Sequence, residues 1–228
     1  MPQQTVRHPL FARYYANVVG PSLEKAGITR YRRRLLTGLS GQVLEIGAGN
    51  GLNFPHYPPE VRQVLAVEPE PRLRGLARQA ARTAPVEVRV VDGRAEQLPV
   101  PDASFDIAVA CLTLCSVADQ RAALAEIRRV LRPGGRLRFF EHVRADTPGM
   151  RRVQRAVDAT LWPLLAGGCR TGRDTRTAIA AAGFTLTQVE TFAFPETRIP
   201  FPAATHILGT AELPQEPESF SAAPGPSA

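Results

Sequence analysis

The stretch Val43-Leu44-Glu45-Ile46-Gly47-Ala48-Gly49-Asn50-Gly51 decides the fold of this chain. It is a mostly apolar run that breaks into alternating glycines. A run of this kind bounded by glycine is typical of a parallel strand that is covered on both faces. Glycine tolerates positive φ and lets a ligand approach the backbone closely. We therefore predict a buried first strand that ends in a tight, ligand-binding turn.

The spacing of these glycines argues against two kinds of nucleotide-binding loop. They stand at positions 47, 49 and 51, whereas a dinucleotide fingerprint needs the last glycine at 52, where this chain has Leu52. No Gly-Lys-Ser/Thr sequence follows, so the loop is a poor phosphate cradle. Glu45 stands before the last residue of the run, and Glu68 closes the next apolar run, where a carboxylate typically binds ribose hydroxyls. This pattern favours a cationic nucleoside without phosphate.

Two motifs carry a resemblance to a known family. Residues 45–51 resemble motif I of the class I S-adenosylmethionine-dependent methyltransferases, in the group with a type 11 methyltransferase domain, and Arg-Val-Leu-Arg-Pro-Gly-Gly-Arg-Leu at 129–137 is similar to a segment of the same superfamily. The resemblance implies an α/β fold, with a Rossmann-like sheet that is mostly parallel, has an antiparallel closing strand and carries helices on both faces. It also implies S-adenosyl-L-methionine as the cofactor and S-adenosyl-L-homocysteine as the product.

The resemblance also assigns a cofactor site. The segment Asp92–Pro99 is similar to the one that holds the adenine ring in this superfamily. Many relatives have an acidic residue where this chain has Arg94, so we expect a backbone contact there. The predicted cofactor-binding residues are Glu45, Gly47, Ala48, Gly49, Asn50, Gly51, Asn53, Glu68, Pro69, Gly93, Arg94, Ala95, Cys111 and Leu112.

Length and pattern predict one catalytic domain with two appendages. At 228 residues the chain is long enough for one α/β domain with its own core. We predict an N-terminal helical lid over 1–40, the methyltransferase domain over 41–213 and a disordered Pro/Ser/Ala-rich tail over 214–228. Helices are predicted near 8–19, 23–39, 50–57, 71–83, 119–131, 150–165 and 175–182, with later strands near 64–68, 86–91, 104–111, 136–140, 184–192 and 203–212.

Composition indicates a cytoplasmic protein. The apolar fraction is 44%, no run of about 18 apolar residues is present, and the first residues lack an apolar signal core, so we expect neither a membrane span nor secretion. The three cysteines, Cys111, Cys115 and Cys169, fit no disulfide pattern and offer no four-ligand zinc site. We therefore predict reduced thiols and no metal.

The basic character of the chain raises the question of nucleic acid. The net charge is +7, and the densest arginines are Arg30, Arg32, Arg33 and Arg34. Aromatic residues do not interleave with them as base stacking would require, so a solvated face is the preferred interpretation. The residues that follow the fourth strand, Leu112-Thr113-Leu114-Cys115, also lack the Asn/Asp-Pro-Pro-Tyr/Phe motif of base N-methyltransferases. We expect no nucleic acid, and a non-catalytic nucleic-acid-binding domain is the alternative of another class.

The acceptor side is predicted from the second half of the chain. His142 follows the fifth strand and is therefore expected at the ligand edge of the sheet, where it is the candidate general base; a structural hydrogen bond is the alternative. Asp158 is the second catalytic candidate, although a helix-packing role accounts for it nearly as well. Tyr14, Trp162, Cys169 and Arg170 are the predicted acceptor-binding residues.

A narrower resemblance bears on the acceptor. The segments 111–117, 141–143 and 168–171 and the pair Asp158 and Trp162 resemble, in order, the thiol S-methyltransferases of animal membranes and their bacterial relatives. The resemblance implies a small thiol that attacks the methyl group as a thiolate. Methylation of oxygen, nitrogen or carbon in a small metabolite or lipid remains the alternative.

Overall fold

The computed structural model describes residues 9–196 and 200–215. Its strands are β1 (Gly41–Ile46), β2 (Val61–Val67), β3 (Val88–Val91), β4 (Phe105–Cys111), β5 (Leu131–His142), β6 (Thr185–Ala193) and β7 (Thr205–Glu212). Its α-helices are α1 (Pro9–Tyr14), α2 (Gly20–Lys25), α3 (Thr29–Leu36), α4 (Pro71–Ala81), α5 (Gln120–Val130), α6 (Pro148–Asp158), α7 (Trp162–Leu165) and α8 (Thr175–Ala181). The start of the predicted first helix and most of the predicted tail, 216–228, lie outside the described residues.

The seven strands form one sheet in the order β3-β2-β1-β4-β5-β7-β6. Strands β1 to β5 run parallel to one another, and β7 runs antiparallel to both β5 and β6. This arrangement confirms the predicted fold class, including the antiparallel closing strand. The order reverses between β1 and β4, which in open α/β sheets is where a ligand crevice forms at the carboxyl ends of the strands.

Helices cover both faces of the sheet because the central strands are apolar on both sides. Leu44 and Ile46 of β1 belong to one core, with Leu124 of α5, whereas Val43 belongs to the opposite core, with Leu35 of α3. Burial of each such side chain contributes about 1.5–3 kcal/mol relative to exposure. The sheet thereby becomes a rigid base for the loops at its carboxyl edge.

Three predicted helices differ from the structure. Between 50 and 57 only a 3₁₀ turn forms, at Phe54–His56, because Pro55, Pro58 and Pro59 lack the N–H groups that a longer helix needs. The predicted helix 23–39 is interrupted at 26–28, where Gly27 takes φ +91°. The predicted helix 150–165 is divided into α6 and α7.

The membrane-span prediction can be compared with the helices directly. Throughout 9–196 and 200–215, no helix combines the length and the apolar character that crossing a membrane requires.

Candidate functional site

A cavity of about 410 Å³ opens at the carboxyl edge of the sheet. Its size lies within the usual range for small-molecule sites, roughly 300–1,000 Å³. The predicted cofactor residues that line it are Gly47, Gly49, Glu68, Pro69, Gly93, Arg94, Ala95, Cys111 and Leu112. They follow β1, β2, β3 and β4, so one cavity collects residues that are separated by up to 65 positions in the sequence.

The glycine turn after β1 forms the floor of this cavity. The backbone N–H groups of Gly47 and Ala48 both donate to the carbonyl of Val67, at 2.8 and 3.1 Å. Gly47 and Gly49 take φ +67° and +58°, and a Cβ at Gly47 would lie 2.5 Å from the side chain of Thr113. Glycine is therefore required at position 47 both by the backbone conformation and by the close approach of Thr113.

Glu68 sits in the cavity wall at the end of β2. Its carboxylate accepts hydrogen bonds from the backbone N–H groups of Gly49 and Glu70, at 2.8 and 2.9 Å. Because burial disfavours the charged form, the pKa of Glu68 is raised to about 7. A carboxylate has about four lone-pair positions, and these two bonds use two of them. The group keeps the capacity to accept a pair of hydroxyl groups.

The other predicted cofactor residues of segment 45–53 do not line the cavity. Glu45 is buried, and its carboxylate accepts from Asn53 Nδ2 at 2.9 Å and from the Tyr57 hydroxyl at 2.6 Å. Burial raises the pKa of Glu45 to about 7. Ala48, Asn50, Gly51 and Asn53 are likewise not among the residues that line the cavity. Glu45 therefore holds Asn53 and Tyr57 outside the cavity wall, and its contact with the cofactor stays a prediction.

Arg32 is a site residue that the sequence interpretation missed. It is 4% exposed and donates to Glu24, to Asn53 Oδ1 at 2.9 Å and to Cys111 Sγ at 3.3 Å. Its buried Nη2 has no hydrogen-bond partner within the described part of the chain. Cys111 and Tyr15, which Arg32 also affects electrostatically, both line the cavity. A buried guanidinium group thus stands directly behind the cavity wall.

The predicted solvated face at 30–34 is therefore only partly correct. Arg30 and Arg34 are about half exposed and pair with Glu196 and Glu190 respectively. Arg32 points the other way because it shares the apolar side of α3 and its preceding turn. Buried residues Ile28, Arg32, Leu35 and Leu36 follow helical spacing, which is the signal that could have identified Arg32 as inward-facing.

The predicted N-terminal lid contributes two aromatic side chains to the cavity wall, and neither is the predicted Tyr14. Phe11 and Tyr15 line the cavity, and their ring centroids lie 5.6 Å apart. Tyr14 is 52% exposed and is not in the cavity wall. Neighbouring residues on a helix point about 100° apart, so only one tyrosine of the pair can face inward. The choice of Tyr14 is corrected to Tyr15.

A buried carboxylate shapes the loop after β4. Leu112 takes φ +56°, which is unusual for a residue with a side chain. Glu141, at the end of β5, is fully buried, and its carboxylate accepts from the backbone N–H groups of Thr113, Leu114 and Cys115 at 2.9, 2.9 and 3.0 Å. Burial raises the pKa of Glu141. This residue, which the sequence interpretation left without a role, orders the loop that forms one side of the cavity.

His142 lies behind the acceptor side of the cavity rather than in its wall. Its Nδ1 is 3.6 Å from Cys115 Sγ and 3.5 Å from Cys169 Sγ. Hydrogen bonds from Cys115 and His142 lower the pKa of the Cys169 thiol, and burial together with Cys169 raises that of Cys115. The adjacent residues Ser116, Gly168 and Arg170 do line the cavity. The base role of His142 stays a prediction, and the predicted acceptor residue Cys169 belongs to this buried cluster.

Asp158 holds the loop that contains Thr171 and Gly172. Its carboxylate accepts from the backbone N–H of Thr171 at 2.7 Å, from the Thr171 hydroxyl at 3.0 Å and from the Gly172 N–H at 2.9 Å. Asp158 does not line the cavity, and its carboxylate positions loop 171–172, so its catalytic role stays a prediction. This loop carries Arg173, which lines the cavity and donates to the carbonyl of Leu114 at 2.7 Å.

The remaining acceptor predictions have different outcomes. Arg170 lines the cavity and is exposed, and its backbone N–H donates to the carbonyl of Cys115 at 2.9 Å. Trp162 packs edge-on against Phe201, with centroids 6.2 Å apart, and does not line the cavity. Its neighbour Pro163 takes that place. Segments 113–118 and 163–173 line the part of the cavity that we expect to hold the acceptor, which is called the acceptor end below.

Comparison with known proteins agrees with this geometry. The family model "Methyltransferase domain" matches residues 44–139. The human thiol S-methyltransferase TMT1B is 36% identical over 181 residues, which are 77% of this chain and 73% of that protein. An S-adenosylmethionine-dependent methyltransferase from Mesorhizobium loti superposes with a TM-score of 0.63 at 20% identity, covering 83% of this chain and 99% of the other.

A second solved structure contains the reaction product of the cofactor. It is the 1,6-didemethyltoxoflavin-N1-methyltransferase of Burkholderia thailandensis with bound S-adenosylhomocysteine, and it superposes with a TM-score of 0.62 at 20% identity over 91% of this chain and 87% of that one. The fold, the cavity at the switch in strand order and these relatives agree: the chain belongs to the class I S-adenosylmethionine-dependent methyltransferases and transfers a methyl group to a small molecule.

Proposed function

We propose that this enzyme methylates the sulfur atom of a small thiol. The observation that carries the proposal is the charge of the acceptor end: among the described residues of segments 113–118 and 163–173 that line the cavity, Arg170 and Arg173 are charged and none is acidic. Glu96, which also lines the cavity, accepts from the Ala118 N–H at 2.9 Å. The 36% identity to a thiol S-methyltransferase over most of the chain supports it. An anionic nucleophile is the species that such a wall favours.

The chemical demand on the protein is modest. A thiol with a pKa of about 8.5 is only a few per cent ionised at neutral pH, and a nearby cation increases the thiolate fraction. S-adenosylmethionine supplies a methyl group on a positively charged sulfur. The chain must hold a thiolate in line with that methyl group, at about 3–3.5 Å, and exclude water so that the opposite charges attract strongly. Phe11, Tyr15 and Pro163 supply apolar surface for that exclusion.

The cavity offers a partner for each part of the cofactor. In this proposal Glu68 accepts the ribose hydroxyls, and Gly93 to Ala95 contact the adenine ring. Gly47 and Gly49 would hold the amino-acid end, and the charge of Arg32 would favour its carboxylate from behind the part of the wall formed by Tyr15 and Cys111. The buried Nη2 of Arg32 has no hydrogen-bond partner among the described residues. The fit of the cofactor rests on two buried groups that can still form hydrogen bonds, Nη2 of Arg32 as a donor and the carboxylate of Glu68 as an acceptor.

A substrate panel tests the acceptor atom. The purified protein is incubated with S-adenosylmethionine and matched aromatic and aliphatic thiols, phenols and amines, and methylated products are identified by mass spectrometry. We expect a methyl thioether from the thiols at a rate well above that from the phenols and amines. A methylated phenol, amine or carbon acid without any thioether would overturn the thiol assignment and leave methyl transfer intact.

A matched pair of variants tests the charge argument. Arg170→Gln should lower kcat/KM for a thiol by roughly 10-fold, the effect of about 1.4 kcal/mol, because the thiolate loses a nearby cation. Arg152→Gln removes an exposed arginine of α6 that does not line the cavity and should leave the rate unchanged. Equal rates for both variants would remove Arg170 from the acceptor site.

The alternative of a nucleic-acid-binding domain is tested by a mobility-shift titration at low salt. Nucleic-acid binding would require a continuous exposed arginine face at 30–34. The burial of Arg32 and the ion pairs of Arg30 and Arg34 reduce the positive charge that this face offers to phosphate groups. Salt-dependent binding of DNA or RNA would support that alternative.

A further inference from the structure

Three potential metal ligands converge behind the acceptor end of the cavity. They are Cys115 from the loop after β4, His142 from the end of β5 and Cys169 from the loop after α7. The two sulfur atoms lie 3.6 and 3.5 Å from the same nitrogen, Nδ1 of His142, and all three atoms lie within 4.8 Å of one another. Segments that are distant in the sequence therefore bring soft ligand atoms to one point.

The two S···N separations match a known coordination geometry. In tetrahedral zinc sites the Zn–S distance is about 2.3 Å and the Zn–N distance about 2.0–2.1 Å, so sulfur and nitrogen lie roughly 3.5–3.6 Å apart. Both S···N distances in the cluster have this value. We propose that Cys115, His142 and Cys169 bind one Zn²⁺ ion, with a fourth position left for water or another exogenous ligand.

The donor set favours zinc over the commoner hard cations. Thiolate and imidazole ligands suit Zn²⁺, whereas Mg²⁺ and Ca²⁺ require oxygen ligands. Binding converts two thiols to thiolates and releases two protons, so that Zn²⁺ and two thiolates together carry no net charge. A neutral complex suits this position, because Cys115 and Cys169 are 1% and 6% exposed and burial of an uncompensated charge is unfavourable.

The backbone already holds the ligands in place. The N–H of Cys115 donates to Glu141 at 3.0 Å, and its carbonyl accepts from Arg170 N–H at 2.9 Å. The N–H of Cys169 donates to the carbonyl of Ala166 at 3.1 Å. Since the two cysteine segments are connected before any ion binds, little further ordering is needed. The neighbouring His206 is not one of the three clustered residues, and its Nδ1 lies 2.7 Å from the carbonyl of Ala204.

The consequence concerns the shape of the acceptor site. Ser116, Gly168 and Arg170 are direct neighbours of the two cysteines and form part of the cavity wall. An ion at this point would fix the loop after β4, the end of β5 and the loop after α7 relative to one another. The inference is independent of the acceptor's identity and therefore does not depend on the thiol proposal.

Metal titration of the full chain tests the site. The protein is purified under reducing conditions, stripped with a chelator and titrated with Zn²⁺ against a chromophoric competitor, with metal content measured by mass spectrometry. We expect one Zn²⁺ per chain and a higher Tm for the zinc form. Co²⁺ in place of Zn²⁺ should give the sulfur-to-cobalt charge-transfer absorption of a thiolate site. A reduced wild-type protein that takes up neither ion would overturn the proposal.

Variants assign the ligands. Cys115→Ser, Cys169→Ser and His142→Asn should each weaken Zn²⁺ binding by more than the roughly 10–100-fold that loss of a ligand's hydrogen-bond partner costs. Cys111→Ser and His56→Asn, which change the same residue types outside the cluster, should bind Zn²⁺ like wild type. If a variant of the cluster fails to fold, the Co²⁺ absorption spectrum of the wild-type protein still shows whether thiolates bind the ion. A Cys115–Cys169 disulfide that persists in the reduced preparation, with no metal bound, would contradict the proposal.

Discussion

The two ends of the cavity are built differently. The cofactor end is formed by residues that directly follow β1, β2 and β3, and its hydrogen bonds join neighbouring strand ends, as between Gly47 and Val67 or Gly49 and Glu68. The acceptor end is formed by two loops that single carboxylates hold in place from a distance, the buried Glu141 for 113–115 and the partly exposed Asp158 for 171–172. A change in the first end should abolish cofactor binding, whereas a change in the second should spare it.

The largest effect is expected at the glycine floor. Gly47→Val places a branched side chain at φ +67° and within 2.5 Å of Thr113, whose hydroxyl donates to the Ile46 carbonyl at 3.0 Å and so cannot easily move. The left-handed backbone alone costs about 1–2 kcal/mol, and the overlap adds to it. We expect the affinity for S-adenosylhomocysteine, measured by calorimetry, to fall by more than about 100-fold, or roughly 2.7 kcal/mol.

A substitution of a glycine outside the turn serves as the control. Gly75 lies in α4, and nothing lies within 4 Å of a Cβ added there. Gly75→Ala should therefore bind S-adenosylhomocysteine like wild type. A folded Gly47→Val protein with normal affinity would remove the turn from the cofactor site.

A smaller effect is expected at Glu141, where a substitution should lower methyl transfer and leave cofactor binding nearly unchanged. Glu141→Gln keeps one acceptor oxygen, so the buried N–H of Cys115 loses its partner and faces an amide N–H₂ group. An unpaired buried donor costs about 1–3 kcal/mol, and the lost charge weakens the two remaining bonds. For a domain of this size we expect Tm to fall by roughly 5–10 °C. Methyl transfer should fall with it, while the affinity for S-adenosylhomocysteine changes by less than about threefold, or 0.7 kcal/mol.

The matched control for this change is Glu60→Gln, which alters an exposed glutamate in the loop before β2. It should leave Tm and activity as in wild type. If Glu141→Gln lowered cofactor affinity as strongly as it lowered activity, the two ends of the cavity would be coupled and the comparison would break down.

The same difference explains what the sequence could predict. Glycine spacing, strand-end carboxylates and the segment 129–137 are local signals, because each lies within one strand and its following turn. They identified the sheet and the cavity residues Gly47, Gly49, Glu68 and Gly93. The partners of Glu45 are less local, because Asn53 and Tyr57 reach its carboxylate only through the fold of the 3₁₀ turn that follows.

The acceptor end could not be predicted in this way. The partners of Asp158 stand 13 and 14 positions later, and those of Glu141 lie on another strand's loop 26 to 28 positions earlier. No periodic pattern encodes such pairings, since they depend on how α6, α7 and the loop after β4 pack. Residue type alone favours Tyr14 and Trp162 as acceptor contacts. The position of a residue around its helix decides which neighbour faces the cavity, and the lining residues are Tyr15 beside Tyr14 and Pro163 beside Trp162.

The smallest expected effect is a pH dependence that belongs to the cofactor end alone. Burial raises the pKa of Glu68 to about 7 even though the backbone N–H groups of Gly49 and Glu70 and the charge of Arg74 favour its ionised form. A carboxylate accepts two hydroxyl groups better than a protonated carboxyl does, so the binding-competent form grows as pH rises through 7. Between pH 6 and pH 8 the affinity for S-adenosylhomocysteine should rise by up to about 10-fold, because the ionised fraction rises from about one tenth to about nine tenths.

Two variants assign this titration to one carboxyl group. Glu68→Gln cannot ionise and should give a flat affinity profile between pH 6 and pH 8. Glu45→Gln is the necessary comparison, because burial also raises the pKa of Glu45 to about 7 although this group faces Asn53 and Tyr57 beneath the turn. If Glu68 is the group that binds the cofactor, Glu45→Gln keeps the rise. The opposite result would be an affinity that is independent of pH in Glu45→Gln but still rises with pH in Glu68→Gln. It would show that Glu45 is the titrating group and would contradict the assignment of Glu68.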